Sequence, residues 1–242
     1  HSASRNGPVW DFTVGPPPSE AKWTVMVYLD ADNNLEPDGI RNFNEMEVAG
    51  STQDVNIIVL MDRIPGYDIS NGDWTGARLY RVTKDTDLDI IHSQLLQDKG
   101  EVNMGDPNTL IDFATWTIQN YPAEHYLLCL WDHGSGWKSR PMPIKGVCWD
   151  DSSNWDYITS QELRAALFMI KQQTGIDRLD ILGFDACLMG MLEVDYQVMP
   201  FADTRVGSEE IAYGGFTYAD TLVSLTNSPT MSPSVLAAHI VD

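Results

Sequence analysis

Basic residues are scarce in this chain. Only 15 of its 242 residues are Lys or Arg, against 35 Asp or Glu, giving a formal charge of −20 at pH 7. A nucleic-acid partner needs a basic face and is excluded on that count. Such acidity suits cationic ligands, calcium or plain solubility. Cysteine is scarce too. Cys129, Cys148 and Cys187 are odd in number and far apart, which is no disulfide framework, and no C-x-x-C pair suggests zinc. No run of 18 apolar residues occurs, so no helical membrane span is expected. Residues 1–18 hold one Arg and no apolar stretch of the kind a secretory leader needs.

Familiar site motifs are missing as well. Asp30-Ala-Asp32-Asn33-Asn34 opens like a calcium loop, but Leu35 stands where Gly is needed and Arg41 where Glu is needed. Asp85, Asp87 and Asp89 fail in the same way, with Ile90 at the Gly position. The tetrapeptide His133-Gly-Ser-Gly136 lacks the first Gly of a serine nucleophile elbow. There is no P-loop, no H-E-x-x-H and no complete dinucleotide fingerprint.

What is present is an alternation. At 43% hydrophobic the chain can build a full core. Residues 1–21, with the run GPPPS, read as an extended arm. Short, nearly continuous apolar runs follow at residues 23–29 (WTVMVYL), 55–61 (VNIIVLM), 125–131 (HYLLCLW) and 179–184 (LDILGF). Weaker strands are expected at 79–82 and 204–208. Between them, helical patterns cover 38–48, 107–119, 160–172 and 189–198. Asp106-Pro107 is an N-cap with Pro at the first helical position. Thr159-Ser-Gln-Glu162 fits a capping box. Strands apolar throughout and alternating with helices predict an α/β fold, its parallel sheet covered on both faces. The chain ends at Asp242 inside an apparent helix, so we expect the natural protein to continue.

Two strands end in unusual chemistry: Trp131-Asp-His133-Gly-Ser-Gly-Trp137 and Phe184-Asp185-Ala-Cys187-Leu-Met-Gly190. Open parallel sheets bind ligands beyond the carboxyl ends of their strands. The 54 residues from His133 to Cys187 accommodate a crossover helix between neighbouring strands, so the imidazole and thiol are expected in one crevice. That pair is the minimal apparatus for acyl transfer. Gly134 leaves a backbone N–H unobstructed for an oxyanion. Cys187 precedes a helix, whose N-terminus favours a thiolate. A carboxylate touching the thiol would oppose its ionisation, so Asp185 fits better as the floor of a pocket for a cationic side chain. Asp132 adjoins His133, but successive residues of an extended chain point apart, and no third catalytic member is evident. Cys129 and Cys148 read as core residues, and His92, His125 and His239 as structural or surface residues. Asp150-Asp151 and Glu209-Glu210 read as solvated acids, whose functional alternative is to line the basic-residue pocket or hold calcium. The Asp30–Asn34 loop also tops a strand, where a wall of the site would stand.

Four segments carry a resemblance: WTVMVYLDADNNLE, HYLLCLWDHGSGW, GVCWDDSSNWDYITSQEL and LDILGFDACLMGMLE, spanning residues 23 to about 218. The chain resembles the clostripain family of cysteine peptidases, which shares the caspase–gingipain–legumain fold. The resemblance implies a caspase-like three-layer sandwich over residues 22–242, its mostly parallel central sheet flanked by helices. It implies His133 as catalytic histidine, Cys187 as nucleophile and the N–H groups of Gly134 and Cys187 as oxyanion donors. It further implies cleavage after Arg or Lys, with Asp185 binding that side chain and Glu209 and Glu210 beside it. Self-cleavage of a precursor is implied too. The loop after His133 holds Lys138, Arg140 and Lys145; Arg140 precedes Pro141, a poor cleavage bond, so Lys145 is the expected site. No cofactor is expected to be required, although calcium activates some members. The expected partners are peptide or protein substrates with basic residues, and the chain is expected to act as a monomer outside the cytoplasm. Two other readings stay open: an inactive caspase-like module for binding or regulation, and another thiol amidase without preference for basic residues.

Overall fold

The computed structural model describes residues 20–136, 146–212 and 215–241. In chain order the elements are β1 (Ala21–Ala31), α1 (Glu36–Ala49), β2 (Val55–Arg63), β3 (Gly76–Arg81), β4 (Gln94–Gly100), α2 (Pro107–Asn120), β5 (Ala123–Trp131), β6 (Gly146–Asp150), β7 (Asp156–Thr159), α3 (Ser160–Thr174), β8 (Leu179–Asp185), α4 (Leu192–Val198), β9 (Ala202–Val206), α5 (Tyr218–Asn227) and α6 (Pro233–Val241). Seven strands form one sheet in the order β4-β3-β2-β1-β5-β8-β9, while β6 and β7 form a separate hairpin. From β2 to β9 the pairings are parallel; β3 and β4 join antiparallel at one edge.

The apolar strands are buried on both faces because each face meets a helix layer. Met26 and Tyr28 of β1 pack with Leu110 and Phe113 of α2 and Leu163 of α3. Val25, Val27 and Leu29 point the other way, into a cluster with Phe43 and Met46 of α1, Leu222 of α5 and Leu236 of α6. This period-two division is the strand geometry itself. Each such side chain removed from water stabilises the fold by about 1.5–3 kcal/mol.

The helix-start signals work as the sequence predicts. Asp106 accepts from the Asn108 N–H, and Thr159 and Glu162 form a reciprocal capping box. Some boundaries differ. β1 begins at Ala21, inside the expected arm, and residues 1–19 of that arm lie outside the described residues. α4 starts at Leu192, three positions late, because Met191 is extended (φ −69°, ψ 145°) and stands as its N-cap. β4, the β6–β7 hairpin and α5 were not expected. β4 is exposed on an edge and lacks apolar alternation. Among the described residues no helix is long and apolar enough to cross a membrane.

Candidate active site

Strands β5 and β8 are hydrogen-bonded neighbours, with Trp131 opposite Asp185 at their carboxyl ends. The two unusual segments therefore leave the sheet side by side. His133 and Cys187 line one cleft of about 310 Å³, together with Trp131, Asp185, Ile211 and Gly215. The approach of the two backbones is close: a Cβ at Gly134 would lie 2.2 Å from the carbonyl oxygen of Cys187. Only glycine fits between the imidazole and the nucleophile loop. Leu188, in the left-handed region, turns that loop, and its N–H donates to the carbonyl of Glu210.

His133 is half-buried, and burial lowers its pKa, so the ring is neutral at neutral pH. Its Nε2 lies 3.0 Å from Oδ1 of Asn34. That oxygen only accepts, so the ring proton sits on Nε2 and Nδ1 is left as the basic nitrogen. The loop carrying Asn34 is itself anchored. Asn33 Nδ2 donates to Oδ1 of Asp132 at 2.7 Å and to the Trp149 carbonyl at 3.0 Å. Asp132 also accepts from the Trp149 N–H. It is buried, and burial pushes its carboxyl well above the usual range against the pull of these hydrogen bonds. Asp132 thus ties three segments together behind the histidine.

Asp185 is buried, and both of its carboxylate oxygens accept from the Phe216 N–H at 3.2 Å. Burial raises its pKa to about 6, while the Phe216 N–H and the Tyr218 hydroxyl pull the other way. Gly215, at φ 67°, passes so near that a Cβ there would sit 2.9 Å from Oδ1. The carboxylate is thereby held at the bottom of the cleft.

Glu209 and Glu210 do not line the cleft among the described residues. Both side chains are exposed, while the following Ile211 and Ala212 form the wall. The solvated reading of Asp150 needs correction: it is buried and accepts from the N–H groups of Met104 and Ser153 at 2.8 and 2.7 Å. Cys129 and Cys148 are buried in strands, as expected, and Cys187 is partly exposed. Lys145, with Lys138 and Arg140, lies outside the described residues. The next residue, Gly146, does not: its N–H donates to Oγ of Ser135 at 3.1 Å, and Val147 pairs with Gly134. Asn34 escaped the reading of the sequence, although its place in a loop topping β1 was visible.

Fold and site together define a class, an α/β sandwich with a thiol and an imidazole at the carboxyl edge of its sheet. Comparison with known proteins narrows it. The family model of the Clostripain family matches residues 27–242, and clostripain from Hathewaya histolytica is 36% identical over 215 residues. The chain belongs to the clostripain family. The match covers 81% of this chain and 41% of clostripain. A secreted C11 cysteine protease from Bacteroides thetaiotaomicron, solved with an irreversible peptide inhibitor, superposes with TM-score 0.71 at 28% identity. That alignment covers 91% of this chain and 57% of the other. An inactive zymogen C11 protease from Parabacteroides distasonis shares the fold, with TM-score 0.66, 23% identity and coverage of 93% and 58%. The expected caspase-like architecture is present, and the chain spans about half the length of these relatives.

Proposed function

We propose that this chain carries the catalytic domain of a cysteine endopeptidase that cleaves peptide bonds after Arg or Lys. One observation carries the reading: His133 and Cys187 line one cleft whose floor is the buried carboxylate of Asp185. Nδ1 of His133 takes the proton of the Cys187 thiol, and the sulfur attacks the scissile carbonyl. The N–H groups of Gly134 and Cys187 face the oxyanion, an arrangement worth a factor of about 10²–10³ per donor. His133 then protonates the leaving amine, the C–N bond breaks, and a thioester remains. The neutral imidazole next deprotonates a water, which attacks the thioester and releases the acid and the thiol.

A substrate guanidinium or ammonium reaching Asp185 would offset the cost of its burial. The net charge of −20 steers cationic peptides to the molecule. Glu209 and Glu210, exposed beside the wall, add to that field without touching the pocket. The chain acts as a monomer outside the cytoplasm, in keeping with a Bacteroides relative described as secreted. Self-cleavage falls at the Lys145–Gly146 bond, whose glycine adjoins Ser135, two residues from the imidazole.

The test is turnover of fluorogenic peptides ending in Arg, Lys or a neutral residue, by wild type and Cys187→Ala. Cleavage after basic residues only, abolished in the variant, is expected. A peptidyl acyloxymethyl ketone ending in Arg or Lys should label Cys187. No turnover and no label would mean an inactive module, and turnover indifferent to charge another thiol amidase. Mass spectrometry of denatured active protein should show a break after Lys145.

A further inference from the structure

One wall of the cleft is a face of α1. Asp38, Arg41 and Asn42 line it, and Glu45 continues the same face one turn further, because residues three, four and seven apart stack along a helix. Arg41 is the only Lys or Arg among the described residues of the lining. Its Nη1 lies 2.7 Å from Oδ1 of Asp38, and its Nε 3.9 Å from Oε1 of Glu45. The other oxygen of Glu45, Oε2, accepts from Nδ2 of Asn42 at 3.1 Å. Oδ1 of Asn42 in turn accepts from the Trp131 indole N–H at 2.9 Å. The face is thereby fastened to the end of β5, where Trp131 pairs with Asp185.

The charges of the cleft are unevenly matched. Asp38 and Glu45 share one guanidinium. Asp132 is buried and taken up by Asn33 and the Trp149 N–H. Asp185 meets the Phe216 N–H and the Tyr218 hydroxyl, and forms no ion pair with Lys or Arg among the described residues. One carboxylate is thus open to an incoming cation. The α1 acids are not remote from it, since the charge of Glu45 adds to the rise in the Asp185 pKa. The Arg41–Asp38 pair is half-exposed, and such pairs add little to stability. Their effect on a charged ligand is larger: unit charges ~4 Å apart change a binding equilibrium by about fivefold in water and by more beside a protein surface.

We propose that Arg41 is a specificity-determining residue of the cleft. By engaging Asp38 and Glu45 it leaves Asp185 as the single cation site, which accepts one basic side chain and turns away a second beside the cleaved bond. The guanidinium also repels a second cation directly and favours an acidic side chain in its place. This rests on the proposed cleavage after Arg or Lys. Without Arg41, the two released carboxylates would draw a second basic residue, and dibasic sequences would become the better substrates.

The experiment compares internally quenched peptides with Arg at the cleaved bond and Ala, Glu or Arg at each adjoining position. A matching series with a neutral residue at the cleaved bond runs alongside. For wild type, kcat/KM with an adjoining Arg should be no higher than with Ala. In Arg41→Ala the Arg-to-Ala ratio should rise about threefold to tenfold at one adjoining position. Arg41→Lys should keep the wild-type ratio. Adding Asp38→Asn and Glu45→Gln to Arg41→Ala should bring the ratio back. An unchanged ratio in Arg41→Ala, or a raised one that survives removal of both acids, would overturn the proposal while cleavage after Arg stands. Turnover of every peptide lowered alike, with the ratios unmoved, would mark a structural role and overturn it too. Wild type that ignores the residue at the cleaved bond, or turns over no peptide, would overturn the cleavage reading and this inference with it.

Discussion

Nε2 of His133 and Oδ1 of Asn34 lie 3.0 Å apart, although 99 residues separate them in the chain. The contact sets which imidazole nitrogen carries the proton, and so which one can serve the thiol. Asn34→Ala is expected to lower kcat by about tenfold to a hundredfold with little change in KM. Asn34→Asp offers a sharper reading. A carboxylate beside the ring favours the imidazolium, so the His133 limb of the kcat/KM profile should move to higher pH. A merely structural role for Asn34 would leave that limb in place.

Asp185 predicts a second pH effect. Burial puts its pKa at about 6. Below that pH the carboxyl is protonated and attracts no cation; above it the charge is present. For substrates with Arg or Lys at the cleaved bond, kcat/KM should therefore rise through about pH 6. Asp185→Asn should remove this limb and cost about 2–5 kcal/mol of binding at pH 7.5, as for a buried charge pair that loses one partner. Cleavage of a neutral substrate, however slow, should change far less.

The three thiols should differ in alkylation. Cys129 is buried, and burial pushes its pKa to about 12. Burial likewise drives the Cys148 thiol upward. Thiolate is the reactive form. In native protein at pH 7.5, iodoacetamide should modify Cys187 alone; in denaturant all three should react. Peptide mapping reads the result, and native modification of Cys148 would contradict the burial described here.

A stability prediction concerns Arg63 and Glu36, paired at 2.7 Å with no exposure of either side chain. Glu36 Oε2 also accepts the Asp68 N–H, and so pins the loop after β2. Glu36→Ala leaves a buried guanidinium without its partner and should cost about 3–5 kcal/mol. Replacing both partners, as in Glu36→Leu with Arg63→Met, should restore part of that loss. Urea midpoints of the two variants measure the difference.

Much of the site was legible in the sequence because its two reactive residues end apolar strands, where side chains leave the sheet together. His133 and Cys187 could be paired on that rule alone. The capping box at Thr159 and the N-cap at Asp106 were legible for a similar reason, being local hydrogen-bond chemistry written over three or four residues. Asn34 was not, because its role depends on how a loop after β1 lies against a loop after β5. Asp150 looked solvated for the same kind of reason. It is buried and accepts from the Met104 and Ser153 N–H groups, contacts that no periodicity reports. The strand β4 escaped because an exposed edge needs no apolar pattern. The exposure of Glu209 and Glu210 beside a cleft walled by Ile211 and Ala212 depends on a turn that composition does not encode.

The adjacency of β5 and β8 has a last consequence. Five successive residue pairs, from Leu127 with Ile181 to Trp131 with Asp185, join the two strands directly. What keeps sulfur and imidazole within reach of one substrate is thus a hydrogen-bonded seam between strands. Two separately expressed halves, divided between Gly136 and Gly146, should assemble into a working whole.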